Sequence, residues 1–255
     1  MTQHSIASSH NSRAEGVLEK ELATVRLLVN YHAWIFSTIQ QYLGDRLIEI
    51  GGGIGTFSDL LINRHLNTAD NRTLEILEPS EQLFEHLSLK YHTRYPDLLR
   101  TGRLTLTKRV FTAAPEQYDT VVMINVLEHI EQDQYFADGV FKTLSPGGTF
   151  IVFSPALPFL YSELDHRVGH FRRYTKCGLA SIFTSSGFHI EQLRYMDMVG
   201  IIPWYLINVL AGSCSFNSSL TKIYDRFVVP FTRFAEDSCG APIGKNLLIV
   251  GRKPQ

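Results

Sequence analysis

Two periods of apolar residues alternate along this chain. From Glu19 to Leu43, Leu22, Val25, Leu28, Val29, Ile35 and Ile39 fall roughly on one face, the spacing of an amphipathic helix. Gly44 follows, where a glycine commonly closes a helix. Short apolar runs then read as strands: Arg46–Ile50, Thr73–Leu77, Leu104–Thr107, Asp119–Ile124, Thr149–Phe153, His189–Arg194 and Leu247–Val250. Asp119–Ile124 is nearly continuous in its apolar character, which suits a central parallel strand covered on both faces. Helical segments separate the strands at about Thr56–Arg64, Glu81–Tyr91, Gln132–Leu144 and Thr175–Ser185. Ser80 is a candidate N-cap for the second of these, Ser145-Pro146-Gly147-Gly148 stops the third, and Gly187 ends the fourth. Strands alternating with helices predict an α/β fold with a doubly wound, mostly parallel seven-stranded sheet and a helical N-terminal segment.

Two stretches, about 157–174 and 195–244, are longer than ordinary connections, and long connections in a compact domain are usually functional. They are read as inserted acceptor-binding elements. Met1–Gly16 is rich in Ser, His and Asn without an apolar core, so disorder is expected there and a signal peptide is not. Residues 17–255 are read as a single domain. Met198–Ala211 is the most apolar segment; it is about 14 residues long and contains Pro203, short of the roughly 20 needed to span a bilayer. It reads either as a buried helix or as the wall of an apolar pocket or a membrane-facing lid. No transmembrane segment is expected, and peripheral membrane contact stays open.

With 255 residues, 44% of them hydrophobic, the chain can bury one substantial core. A net charge of −1 without a basic run gives no nucleic-acid footprint. The three cysteines, Cys177, Cys214 and Cys239, lack C-x-x-C spacing and read as reduced thiols of a cytoplasmic protein rather than a disulfide framework or zinc site. No heptad or exposed seam indicates an oligomeric state.

The densest chemistry follows the first strand, in Glu49-Ile50-Gly51-Gly52-Gly53-Ile54-Gly55-Thr56. Glycines let the backbone turn sharply and approach a ligand closely, as cofactor loops do at the carboxyl end of the first strand of an open α/β sheet. A dinucleotide loop, G-x-G-x-x-G from Gly51, would need glycine where Thr56 stands. Glu78 lies 23 residues after Gly55, at the end of the second strand, where a carboxylate accepts ribose hydroxyls in Rossmann-like folds. Glu49, at the loop entrance, can face the positive end of a cofactor.

The Glu49-x-Gly51-x-Gly53-x-Gly55 pattern resembles the first motif of class I S-adenosylmethionine (SAM)-dependent methyltransferases. The strand ending Asn125-Val126-Leu127-Glu128-His129-Ile130 resembles the fourth-strand motif of the ubiquinone- and menaquinone-biosynthesis type. Leu144-Ser145-Pro146-Gly147-Gly148-Thr149-Phe150 resembles the loop before strand five in that superfamily, and the three motifs cover about residues 30 to 155. The resemblance implies SAM as cofactor, S-adenosylhomocysteine as product, and in-line transfer to a small-molecule acceptor. It implies a cofactor site of Glu49, Gly51, Gly53, Gly55, Glu78, Pro79, Asn125 and Val126. The acidic residue that the family often carries after strand three is absent from Lys108-Arg109-Val110-Phe111-Thr112.

Beyond strand five, Leu160-Tyr161-x-x-x-Asp165 and Gly169-His170-x-Arg172-Arg173-Tyr174-Thr175 resemble a bacterial subgroup of these enzymes, whose loop here faces the methyl acceptor. Asp165 and His170, with His129, are candidates for deprotonating or orienting an acceptor; His129 reads first as a helix-start hydrogen-bonding residue. Tyr161, His166, Arg173, Tyr174 and Trp204 are the candidate acceptor pocket, and Met198–Ala211 together with Phe227, Phe231 and Phe234 suggests an apolar or lipid-like acceptor. The same loop also reads structurally, with Arg172 and Arg173 pairing Asp165 and Glu163. An Asp–His–His group without a second acidic ligand set does not indicate a metal. O-, N- and C-methylation are not separated by these residues. The competing readings are a SAM-binding or scaffold protein without turnover and an NAD-dependent oxidoreductase, against which Thr56 and the Asn125–His129 motif both argue.

Overall fold

The structure is a computed structural model and describes residues 24–213 and 217–255. The N-terminal stretch expected to be disordered, Met1–Gly16, lies outside the described residues. Seven strands, β1 (Arg46–Ile50), β2 (Thr73–Leu77), β3 (Leu104–Thr107), β4 (Tyr118–Ile124), β5 (Leu144–Pro155), β6 (His189–Met196) and β7 (Asn246–Arg252), form one sheet in the order β3-β2-β1-β4-β5-β7-β6. All neighbouring pairs from β3 to β5 are parallel, and β7 runs antiparallel between β5 and β6. The sheet is therefore mostly parallel, with one reversed strand.

The helices are α1 (Val29–Ile39), α2 (Ser58–Arg64), α3 (Glu81–Arg94), α4 (Pro96–Arg100), α5 (Asp133–Thr143), α6 (Glu163–Arg167) and α7 (Lys176–Ser185). Next comes α8 (Ile201–Trp204), which continues as a π-helix over Tyr205–Leu210. Finally α9 (Ser218–Ile223) runs through a π-helical stretch, Tyr224–Val228, into α10 (Val229–Cys239). One buried cluster joins Trp34, Phe36 and Ile39 of α1 with Leu61 and Ile62 of α2 and Leu87 and Tyr91 of α3. On the other sheet face a second cluster holds Ala137 and Val140 of α5 with Leu179 and Phe183 of α7. Both faces of β1 and β4 are covered, which is why these strands are apolar almost throughout.

Gly44 is not the left-handed helix cap its position suggested. Its N–H donates to Thr120 Oγ1 at 2.8 Å, and a Cβ there would stand 2.6 Å from Asp119 Cβ. Close approach to β4 is what demands glycine. The predicted Ser145–Gly148 loop is instead the start of β5, with the strand register shifting between Tyr118 and Thr120.

Strand order reverses between β1 and β4. In an open α/β sheet that reversal leaves a crevice at the carboxyl ends of the two strands. Gly51 follows β1 and Asn125 follows β4, so the topology brings both predicted motifs to one place.

Candidate functional site

Residues Gly51 to Gly55 turn directly out of β1. Gly51, Gly53 and Gly55 have φ of 80°, 55° and 78°, which L side chains rarely adopt. A Cβ on Gly51 would lie 2.5 Å from Val126 Cγ2, and one on Gly52 would lie 2.4 Å from Ile76 Cγ2. The loop is held from beneath by α3, where Lys90 Nζ donates to the Ile54 carbonyl at 3.1 Å and Tyr91 Oη to the Gly55 carbonyl at 3.1 Å. Glu78 holds it from the side. Its Oε2 accepts from Gly53 N at 2.7 Å and its Oε1 from Ser80 N at 2.9 Å. Asn125, at φ 54°, takes the left-handed turn out of β4, a conformation Asn tolerates better than most residues.

These elements border a cavity of about 960 Å3. Of the predicted cofactor residues, Glu49, Gly51, Gly53 and Asn125 line it. Gly55, Glu78, Pro79 and Val126 are outside its lining, and Gly55, Glu78 and Val126 support the loop behind it by the contacts given above. Glu49 is buried, and its Oε2 has no hydrogen-bond partner among the described residues. Burial pushes its carboxyl up to about 8, so with no cation beside it the group is mostly protonated at neutral pH. Burial also raises the Glu78 carboxyl.

The opposite wall is built of side chains. Among the predicted residues His129, His170, Arg173 and Trp204 line the cavity. His170 Nδ1 lies 2.8 Å from Asp165 Oδ1, and Arg173 closes an ion pair on Asp165 at 2.9 Å. Burial works to raise Asp165, but the His170 hydrogen bond and the Arg173 guanidinium outweigh it and hold the carboxyl below its ordinary range. Asp165 also accepts from Ser162 N and Oγ, each at 2.9 Å, capping α6. Arg172 pairs with Asp133 and Glu163 with Arg167, so of the pairings expected in this loop only Arg173–Asp165 forms.

Glu128, which the sequence reading left without a firm role, lies across from His170. Its Oε1, buried and without a hydrogen-bond partner among the described residues, is 3.9 Å from His170 Nε2. Burial raises the Glu128 carboxyl. Burial first, and then the neighbouring His170, lower His129 to about 4, leaving it neutral at physiological pH. Glu128, His129 and His170 each bring one ligand atom within 4.8 Å of the others, a grouping that could hold a metal ion.

The remaining acceptor-pocket candidates stand apart from the lining. Tyr161 Oη donates to the His170 carbonyl at 2.6 Å, and Tyr174 Oη to Asp133 Oδ2 at 2.9 Å, so both hydroxyls serve the loop. His166 is exposed on α6. The cavity is completed by residues that no local pattern marked, among them Tyr31, Lys245 and Asn246. Asn246 Nδ2 donates to Tyr31 Oη at 2.6 Å, and Lys245 pairs with Asp197 at 2.9 Å.

Residues 48–150 match the family model described as a methyltransferase domain. That stretch, which holds the glycine loop, Glu78 and Asn125, is thus similar to a methyltransferase domain. The chain's fold is shared by solved structures of low sequence identity. Phosphoethanolamine N-methyltransferase 2 of Haemonchus contortus, in complex with S-adenosyl-L-methionine, superposes with a TM-score of 0.59 at 14% identity over 86% of this chain and 52% of its own. The [4+2]-cyclase SpnF does so with a TM-score of 0.55 at 15% identity over 86% of this chain and 80% of its own. A probable polyketide synthase 42 of Dictyostelium discoideum is 30% identical over 131 residues, 46% of this chain. The chain thus spans about half of the first structure and 5% of that curated relative. Among the described residues no helix is long and apolar enough to cross a membrane.

Proposed function

We propose that the cavity binds S-adenosylmethionine and that the chain transfers its methyl group to a small acceptor with an apolar body, releasing S-adenosylhomocysteine. One observation carries the reading. The glycine loop, with the partnerless carboxylate oxygen of Glu49 at its entrance, opens into the same cavity as the Asp165–His170 pair. When bound, the cofactor supplies a methyl group activated by a sulfonium.

The chain's own residues do the rest. Gly51 to Gly53 allow close backbone approach. Glu78 already accepts from Gly53 and Ser80, and a carboxylate has lone pairs left for two ribose hydroxyls. Glu49 faces the cofactor's positive charge. Ile124, Phe153 and Trp204 give the cavity apolar walls that exclude water. His170 takes the acceptor's proton through Nε2, while Asp165 fixes Nδ1 as the donor and balances the imidazolium that forms. His129, held neutral and weakly basic, is a wall residue rather than the base.

The test is calorimetric titration with SAM and, separately, with NAD, on the wild-type chain and on Glu78→Ala. Saturable SAM binding, weakened at least about tenfold in the variant, with NAD silent, is the expected result; well-folded protein that ignores SAM would overturn the reading. With a methylated acceptor in hand, His170→Ala should lower turnover by about 100- to 10,000-fold and leave SAM affinity unchanged.

A second reading, SAM binding without methyl transfer, is favoured by the lack of an acidic residue in Lys108–Thr112 and by the presence of a cyclase on the same fold. Saturable SAM binding with no methylated product from a cell extract would mark it.

A further inference from the structure

The long helix Ser218–Cys239 is amphipathic in the inverted sense. Asp225, Thr232 and Glu236 are buried, together with Val229. The side facing solvent carries Leu220, Ile223, Phe227, Phe231 and Phe234, exposed by 57%, 54%, 65%, 70% and 74%. Spacings of three and four residues keep these five on one stripe.

The two inward carboxylates are both engaged. Asp225 accepts from Asn30 N and Tyr31 N at the start of α1, each at 3.0 Å, and Glu236 accepts from Met198 N at 2.7 Å. The helix is therefore fixed in this orientation, and its apolar stripe is held outward. Ile202, Leu206 and Leu210 of the preceding helical segment are exposed by 64%, 52% and 63%. A soluble surface seldom presents so large an apolar area without an occupant.

Charge selects the occupant. Along Ser218–Cys239 the exposed charged residues among those described are Lys222, Arg226 and Asp237. Asp237 is paired with Arg194 and Arg233, and Asp225 is buried, so the charges left toward solvent beside the stripe are the cations Lys222 and Arg226. An apolar stripe of Leu, Ile and Phe flanked by Lys and Arg is the composition of a helix that lies in the plane of an anionic bilayer surface.

We propose that this face docks the protein onto anionic membrane surfaces, with Phe227, Phe231 and Phe234 entering the headgroup boundary and Lys222 and Arg226 meeting lipid phosphates. Ile207, Leu220 and Ile223 belong both to the exposed face and to the cavity lining, so the cavity opens on the docked side. Its acceptor is then a membrane-resident amphiphile; that last step rests on the methyl-transfer reading, whereas docking does not.

The experiment is flotation of the full chain with phosphatidylcholine vesicles and with vesicles containing about one-third phosphatidylglycerol, with light scattering of the lipid-free protein in parallel. Flotation with the anionic vesicles, weakened by salt, is expected. A Phe227→Ser, Phe231→Ser, Phe234→Ser variant with an unchanged far-ultraviolet spectrum should lose it by about tenfold or more, and Lys222→Gln with Arg226→Gln should erase the preference for anionic lipid. Any of three results overturns the proposal. The triple variant could float as well as wild type. The wild-type chain could stay off vesicles as a dimer that the triple variant dissolves, making the face an interface between copies. Or flotation could appear only after removal of residues 1–23, making the stripe a seat for the chain's own N-terminal segment.

Discussion

The two walls of the cavity are built on opposite plans. The Gly51–Ile54 wall is backbone, shaped by left-handed glycines and supported by Glu78, Lys90 and Tyr91 of the adjoining strand and helix. The facing wall is a net of side chains from distant parts of the chain. Asn246 reaches Tyr31 across 215 positions. A wall made of backbone offers the same shape whatever its neighbours do, which suits a part of the ligand that never varies. A wall made of side chains can be rebuilt by substitution without touching the sheet, which suits an acceptor that differs between relatives. The site is then two devices in one cavity, and each can be damaged separately.

The largest separation is expected at Asp165. Removing it by Asp165→Ala leaves the 5%-exposed Arg173 without the carboxylate it pairs with, and breaking a buried pair this way costs about 3–5 kcal/mol. In a chain of this size that lowers the melting temperature by about 10 °C. Asp165→Asn, which keeps the shape and an acceptor for His170, should cost less. At temperatures where both variants remain folded, SAM affinity by calorimetry should match wild type. A parallel loss of affinity would mean that the walls are one cooperative unit.

The converse lesion is Gly51→Ala. It places a side chain at φ 80° and drives a Cβ to 2.5 Å from Val126 Cγ2. Left-handed backbone costs an L residue about 1–2 kcal/mol, and overpacking adds about as much. SAM affinity should fall about tenfold to a hundredfold, and the strain should also lower the melting temperature by several degrees, while the Asp165–His170–Arg173 contacts stay intact. Adding Val126→Ala should return the packing share and leave the backbone share, a split readable by titrating the single and double variants side by side. Full recovery in the double variant would show that conformation at Gly51 is unimportant and that only space matters.

The same contrast explains what could be read from the sequence. The bounds read for β1, β2 and β3 are those of the structure; for β1 and β2 this follows because a strand ended by Gly or Glu-Pro states its own limits. The glycine loop was legible for a related reason, since its shape is dictated locally. The reading of Asp165 with Arg173 and His170 was within reach because all three sit in one loop.

Lys245, Asn246 and Tyr31 carried no local mark: they enter the cavity only because β7 inserts antiparallel between β5 and β6 and α1 packs across its end. Phe227, Phe231 and Phe234, read as pointing to an apolar acceptor, instead face solvent outside the cavity lining, because a stripe does not say which way it faces. Its outward orientation is set by the pull of Asp225 and Glu236 toward the starts of other elements, and those partners lie in distant sequence.

The finest test of the backbone wall is a proton count at Glu49. Its carboxyl stands at about 8 in the empty site because burial disfavours its charge, whereas an unfolded glutamate titrates near the ordinary value of about 4.3. A group raised on folding stabilises the protein below its unfolded pKa, and that contribution is lost as pH rises through the folded value. The empty wild-type chain should therefore lose melting temperature relative to Glu49→Gln as pH climbs from the ordinary carboxylate range through about 8, and hold a constant difference beyond. A cation seated beside Glu49 reverses the preference, favouring the carboxylate and lowering its pKa in the complex. Binding below about pH 8 must then expel a proton, so SAM affinity should rise with pH by at most about 1.4 kcal/mol per unit and level off above that value. Titration in two buffers of different ionisation heat counts the proton directly. Glu49→Gln should flatten the slope and release none. An affinity that ignores pH in the wild-type chain would place the cofactor's positive charge away from Glu49 and leave the glycines and Glu78 to hold the ligand by themselves.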